Sequence, residues 1–300
     1  MIQTPTLKNW IFLITLGIIW GASFMAVDLA LTSLGPLSVA AGRLTFGAIA
    51  LYVLMRSRGA RLPPLGRVWI YIIGMGIFTN ALPFSLLSWG QQSVPSAFAG
   101  VSMAVVPLFT LPLAFLFVPG ETLPPRKIIG FIVGFGGMLL LIGIADIQAA
   151  LSTGTLLPKL ACVAAAACYA VGSILTRLSP KIPQMSFSAG GLLVGACISF
   201  PLALAFEGIP NQITVTAAGA LAFLALFPTA LATLLLVQVI QSAGPTFMVQ
   251  VNYQVPVWSL IFGVTFLSET LPPNFLIAFG LILAGLLISQ SGRRNFNRPA

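Results

Sequence analysis

Two stretches of the chain, QSVPSAFAGVSMAVVPLFTLPLAFLFVPGETLPP (Gln92–Pro125) and QSAGPTFMVQVNYQVPVWSLIFGVTFLSETLPP (Gln241–Pro273), are versions of one another. At a spacing of 149 residues Gln92 falls on Gln241, Phe98 on Phe247 and Pro107 on Pro256. After one deletion Glu121-Thr122-Leu123-Pro124-Pro125 falls on Glu269-Thr270-Leu271-Pro272-Pro273, and Gly137 then meets Gly285. Upstream, Trp20 meets Tyr169 at the same 149. One residue closer, Ser38, Ala41, Gly42, Leu44 and Gly47 meet Ser186, Ala189, Gly190, Leu192 and Gly195. Apolar helices resemble one another in composition alone, but an identical pentapeptide in register with an aligned proline and glycines goes further. The expected organisation is a duplication, with halves 1–147 and 148–300.

The medium in which these halves fold follows from composition. Of 300 residues, 58% are apolar and 6% charged, against about 25% charged in ordinary soluble domains. Mean hydropathy is +1.04. So few charges cannot cover a soluble surface, and apolar runs of 18 or more residues recur along the chain, each long enough to cross about 30 Å of hydrocarbon. Cutting at Pro/Gly clusters and charges predicts ten spans: 9–31, 36–56, 68–88, 95–117, 125–145, 156–177, 184–206, 213–240, 245–267 and 273–291. The first is too long for a signal-peptide core and reads as a retained helix.

Lys and Arg test that count. With the N-terminus in the cytoplasm, the inner side receives Lys8, Arg56, Arg58, Arg61, Arg67, Arg126, Lys127, Arg177, Lys181, Arg293, Arg294 and Arg298. The outer side receives only Lys159, and Arg43 stays inside the second span. This is the positive-inside distribution, with both termini cytoplasmic. Five spans per half turn the second half upside down relative to the first. Inverted repeats of this kind are a transporter architecture, because one fold in two orientations supplies inward-open and outward-open states of similar energy. The expected fold is therefore all-α integral membrane, with ten transmembrane helices in two inverted-topology five-helix repeats.

The stretches LGIIWGASFMAVD, LSVAAGRLTFGAIAL and VVPLFTLPLAFLFVPGETLPP, with GFIVGFGGMLLLIG and the second-half VPVWSLIFGVTFLSETLPP, resemble the EamA-type exporters of the drug/metabolite transporter superfamily. Within it the chain looks most like bacterial inner-membrane amino-acid exporters. The resemblance implies a central cavity, a small-metabolite substrate, and a multi-pass location in the bacterial cytoplasmic membrane. The second half departs from the first at two positions: Gly191 stands where Arg43 would recur, and Arg177 where Asp28 would.

Candidate site residues follow from polarity at depth. Asp28 and Arg43 lie in the outer halves of the first two spans, where an ionised group costs about 3 kcal/mol on insertion scales and needs a partner or a role. They read either as a structural pair, with the arginine snorkelling or capping carbonyls, or as a gating, coupling or substrate-carboxylate site. Trp20 and Tyr169, at the midplane and related by the repeat, read either as lipid-facing or packed aromatics or as opposite walls of one cavity, able to hold an apolar side chain or face an ammonium. Ser23, Asn80, Ser102, Ser173, Thr229, Asn252, Tyr253 and Gln254 complete the candidate cavity, although a single Ser or Thr in such a helix reads equally as interhelical packing. Pro107, Pro228 and Pro256 are expected helix breaks, each freeing the carbonyl four residues before it. Glu121 and Glu269, on opposite faces, read as carboxylates satisfying helix ends.

The inventory also excludes. Histidine is absent, and the three cysteines, Cys162, Cys168 and Cys197, lie in apolar runs without metal or disulfide spacing. No cofactor or metal is expected, and no paired deep carboxylates or phosphate loop suggest an enzyme. The net charge of +9 marks membrane topology rather than nucleic-acid binding. A cavity of neutral polar groups and aromatics suits a small neutral or zwitterionic solute, and lacks the several basic side chains a phosphorylated one would require. The leading reading is export of such solutes, amino acids foremost, facilitated rather than strongly proton-coupled. The alternatives are a proton-driven exporter of drugs or other metabolites and a non-transporting membrane factor. Homodimerisation is left open.

Overall fold

A computed structural model describes residues 5–143, 152, 154–248 and 250–290. Every described regular element is helical. The rods are α1 (Leu7–Leu31), α2 (Pro36–Ser57), α3 (Val68–Gly90), α4 (Ser96–Phe117), α5 (Pro125–Ile142), α6 (Leu156–Leu178), α7 (Gln184–Phe206) and α8 (Val215–Ala243), followed by α9 (Val251–Phe266) and α10 (Phe275–Gln290). The first eight are long and apolar enough to cross a membrane, and α10 contains a shorter apolar helix, Phe275–Ser289. Large apolar side chains such as Phe46, Ile49, Val53, Ile70, Leu116, Phe117 and Ile132 are exposed on the outer surface, as a lipid-facing belt requires.

Local chemistry sets the ends. Thr6 accepts a hydrogen bond from the Asn9 N–H at the start of α1, and Thr214 does the same for Ala217 at the start of α8, so each supplies one of the acceptors that first-turn donors lack. Proline opens α2 and α5, where no N–H is needed. Gly143 closes α5 at φ +84°, a left-handed cap that favours glycine. The expected span 245–267 is divided: a one-turn helix, Pro245–Met248, precedes α9. The expected spans 125–145 and 273–291 end at residues 144–145 and 291, outside the described residues.

The helices pack in exchanged pairs. α2 lies against α7, α4 against α9 and α5 against α10; α1 contacts α8 and α9, and α6 repeats this by contacting α3 and α4. Glycine permits the closest approaches. A Cβ on Gly285 would meet the Gly130 carbonyl oxygen at 2.5 Å, and one on Gly21 would meet the Trp258 Cβ. Without a hydrophobic driving force between helices in lipid, such backbone proximity is where their attraction comes from. Leu44, Ala48, Leu51 and Met55 of α2 bury with Ala189 and Leu192 of α7 in the same way.

Both α3 and α8 depart from α-geometry at matching places. Gly76–Ala81 and Leu226–Leu231 are π-helical turns, and they lie at related positions of the two halves, with Asn80 149 residues before Thr229. Pro228 leaves the Leu224 carbonyl without its α-helical donor, and the Thr229 hydroxyl donates to it at 2.9 Å. Asn80 Nδ2 reaches back across the same five residues to the Met75 carbonyl, at 3.5 Å. π-turns inside helices are frequent at functional sites.

The three expected breaks fare differently. Pro228 sits in the π-turn of α8, and Pro107 follows a 3₁₀ turn, Met103–Val105, inside α4. Pro256 breaks nothing, since α9 runs through it from Val251 to Phe266. The helix begins only five residues earlier, so the ring frees a carbonyl in the first turn, where disruption is mild. The interruption falls instead before Val251.

Candidate central cavity

A cavity of about 460 Å³ lies between the halves. Trp20 and Ser23 come from α1, Arg43 from α2, Asn80 from α3 and Gln91 from the residue that caps its end, Tyr169 and Ser173 from α6, Thr229 from α8 and Asn252 from α9. The structure thus brings seven of the ten candidate cavity residues together: Trp20, Ser23, Asn80, Tyr169, Ser173, Thr229 and Asn252. Ser102, Tyr253 and Gln254 lie elsewhere. Ser102 is fully buried and its hydroxyl donates to the Phe98 carbonyl at 2.8 Å. Gln254 faces α1, where a Cβ on Gly17 would meet its Oε1 at 2.8 Å. Tyr253 packs against the main apolar cluster. Of the three polar residues at 252–254, only Asn252 turns to the cavity.

Trp20 and Tyr169 are held by different means. The Trp20 Nε1–H donates to the Pro228 carbonyl oxygen at 3.2 Å, which fixes the indole against the π-turn of α8. Tyr169 meets Phe84 edge-on, ring centroids 6.5 Å apart. The Arg43 guanidinium carbon lies 3.9 Å from the Phe84 ring centroid, a cation–π contact in a water-poor setting. Arg43, Phe84 and Tyr169 therefore form one continuous wall.

Asp28 and Arg43 do not pair. Among the described residues no ion pair joins them, and Asp28 is absent from the cavity lining whereas Arg43 is part of it. The aromatic face of Phe84 takes the role that a structural pairing would have given Asp28.

The two matched glutamates also part company. Glu269 accepts hydrogen bonds from the Ser96 and Ala97 amides at 2.6 and 3.0 Å, holding the start of α4. Glu121 instead pairs with Arg177 at 2.6 Å and with Lys127 at 3.4 Å. The reasons are local. Ser96 recurs as Pro245, which has no N–H to donate. Glu269 also nests where a Cβ on Gly263 would stand, and the corresponding position of the first half is Ala114 or Phe115. The Arg177 guanidinium beside it, hydrogen-bonded first and charged second, holds the Glu121 carboxyl below the usual glutamate range, helped by Lys127. Glu207, not singled out from sequence, caps α2: its carboxylate accepts from the Leu37 and Ser38 amides, each at 2.8 Å, and from the Ser38 hydroxyl at 2.7 Å.

Sequence reasoning also missed Phe84, Thr79, Gln91, Gln184 and Ser188, all of which line the cavity. Gln91 stood beside the Gln92 that marks the repeat, close enough to have been found; Phe84 carried no polar signal.

Membrane-length apolar helices around a shared cavity, largely apolar with a few polar groups, define a polytopic membrane transporter. The EamA-like transporter family matches residues 8–143 and again 156–290. The chain belongs to that family, whose members are transporters and not enzymes. It is 26% identical over 288 residues to an uncharacterized inner membrane transporter, YedA, of Escherichia coli strain K12, covering 95% of this chain and 91% of that one. It is 25% identical to the "Probable terminal-alkyne amino-acid exporter" of Streptantibioticus cattleyicolor over 96% of this chain and 94% of that one. A solved crystal structure shares the fold, with a TM-score of 0.67 and 22% identity, covering 96% of this chain and 99% of that one.

Proposed function

We propose that this chain exports small neutral or zwitterionic metabolites, amino acids foremost, across the bacterial inner membrane by alternating access. The carrying observation is the 460 Å³ cavity shared by α1–α4 and α6–α9 and walled by Trp20, Phe84 and Tyr169 among neutral polar groups. It is large enough for one amino acid, and Arg43, the one cation among the described lining residues, fits one carboxylate rather than a phosphate, for which several basic groups would be arranged. The relative named as an amino-acid exporter supports the same substrate class.

In this reading ten helices cross the membrane as two inverted repeats with both termini cytoplasmic. The exchanged packing of α2 with α7, α4 with α9 and α5 with α10 supports the repeat, and the distribution of Lys and Arg supports the orientation. Rocking of the halves about the cavity would expose it to each side in turn.

Transport runs down the substrate gradient. Asp28, the acid expected to carry a proton if any did, stands away from the cavity lining. Efflux from loaded proteoliposomes at fixed substrate gradient and varied pH gradient is the test. Flux should follow the substrate gradient alone and persist in Asp28→Asn. Uphill flux driven by protons and lost in that variant favours a proton-driven exporter of drugs or other metabolites, and an absence of any solute flux removes the transport reading itself.

A further inference from the structure

Two buried polar groups of the cavity lining have bonding capacity that no described residue uses. Arg43 is 8% exposed, yet its Nε has no hydrogen-bond partner and no carboxylate pairs with it among the described residues. Gln91 is 4% exposed; its Nε2 donates to the Phe24 carbonyl at 2.8 Å, but its Oε1 has no partner. One group is a cationic donor and the other a neutral acceptor, and both belong to the same cavity.

Such groups are costly when left unsatisfied. The Phe84 ring covers one face of the guanidinium, while hydrogen bonds from Arg leave in its plane. Stacking therefore steadies Arg43 without consuming its donors. The Phe24 contact likewise fixes the Gln91 amide so that Nε2 is engaged and Oε1 is the atom left over. A fixed cationic donor and a fixed neutral acceptor complement a carboxylate and an ammonium, and the aromatic and aliphatic remainder of the lining complements a side chain.

We infer that Arg43 binds the substrate carboxylate and Gln91 Oε1 accepts from the substrate ammonium, so that the cavity recognises the α-amino-acid backbone and tolerates the side chain. This rests on the exporter reading and deepens it. It also places recognition off the repeat axis, because Arg43 has no second copy: Gly191 occupies the matching position and packs near Met75 and Asn80. The substrate would consequently enter each transport cycle in one orientation, its backbone toward α2 and α3.

The test is counterflow in proteoliposomes holding the full chain. All twenty L-amino acids are screened, and for each that exchanges, its carboxamide and its deaminated acid are added as competitors. The carboxamide, which lacks the carboxylate charge, should compete at least about tenfold less well than the parent, as expected for loss of a charge-assisted bond. The deaminated acid should be weakened by a smaller factor. Arg43→Gln should raise KM for the parent while bringing parent and carboxamide together, and Arg43→Lys should restore part of the gap. Gln91→Leu should narrow the gap between parent and deaminated acid. If Arg43→Gln yields no folded protein, the wild-type competition decides alone. Carboxamides that compete as well as their parents overturn the inference and leave the exporter reading standing, as does exchange of other solutes but no amino acid. Failure of every solute to move defeats the exporter reading itself.

Discussion

The indole N–H of Trp20 donates to the carbonyl oxygen of Pro228, joining an aromatic of the first half to a π-turn of the second across 208 residues of sequence. The bond explains why the ring stands on the cavity wall rather than turning to lipid. Trp20→Phe keeps an aromatic surface and deletes the donor. It should lower stability by about 1 kcal/mol, the ordinary worth of one such bond, and reduce exchange rate, read respectively by thermal melting in detergent and by counterflow. An unchanged melting temperature would show that the bond contributes nothing.

Thr229 and Pro228 should be energetically coupled. The proline removes the donor that the Leu224 carbonyl would have had, and the Thr229 hydroxyl replaces it. Thr229→Val leaves that acceptor buried and unpaired, at a cost of about 1–3 kcal/mol, whereas Thr229→Ser is close to neutral. Pro228→Ala returns an N–H to the turn, so Thr229→Val should cost less in that background. A double-mutant cycle measures the coupling, and strict additivity would refute it.

Gly285 and Gly130 lie so close that neither tolerates a side chain. A Cβ on Gly285 meets backbone on α5 at 2.5 Å, and backbone cannot step aside as a flexible side chain can. Gly285→Ala should destabilise the α5–α10 pair by roughly 1–3 kcal/mol and lower the yield of folded protein. Flux per folded molecule should stay the same, because neither glycine lines the cavity.

Glu121 makes one part of the fold sensitive to acid. Its carboxyl is held below the ordinary range in the folded protein, first by the hydrogen bond from Arg177. A depressed folded value means that its contribution is fully present above the unfolded glutamate pKa, near about 4.3, and is lost as pH falls through the folded value. Wild type should therefore melt above Glu121→Gln at neutral pH, with the difference starting to shrink as pH drops below about 4.3 and gone only once pH is below the depressed folded value. The same difference should shrink in high salt, since the Arg177 partner is half exposed.

The all-helical, membrane-length character of the fold was legible because it is written many times over in hydropathy. The gathering of Trp20, Asn80, Tyr169 and Thr229 around one cavity was legible too, because a repeat relation or an unusual polarity at depth marks each of them. What escaped depends on facing. Asn252, Tyr253 and Gln254 are adjacent, and only rotation of α9 against its neighbours decides which of them meets the cavity. Pairing of Arg43 with Asp28 was one of the readings left open because charge is visible in a sequence, whereas the neighbour it stacks on, Phe84, looks like any other lipid-phase aromatic. The uninterrupted course of α9 through Pro256 depends on where the helix starts, and helix starts are poorly marked in a uniformly apolar run.

The divergence of Glu121 from Glu269 has a mechanical meaning. One end of the protein is cinched by carboxylates clamped on helix amides and the other by a cluster of opposite charges. The fastenings are chemically unequal: the carboxylate of Glu269 is seated on backbone amides, whereas the Arg177 partner of Glu121 is half exposed and that pair yields to dissolved electrolyte.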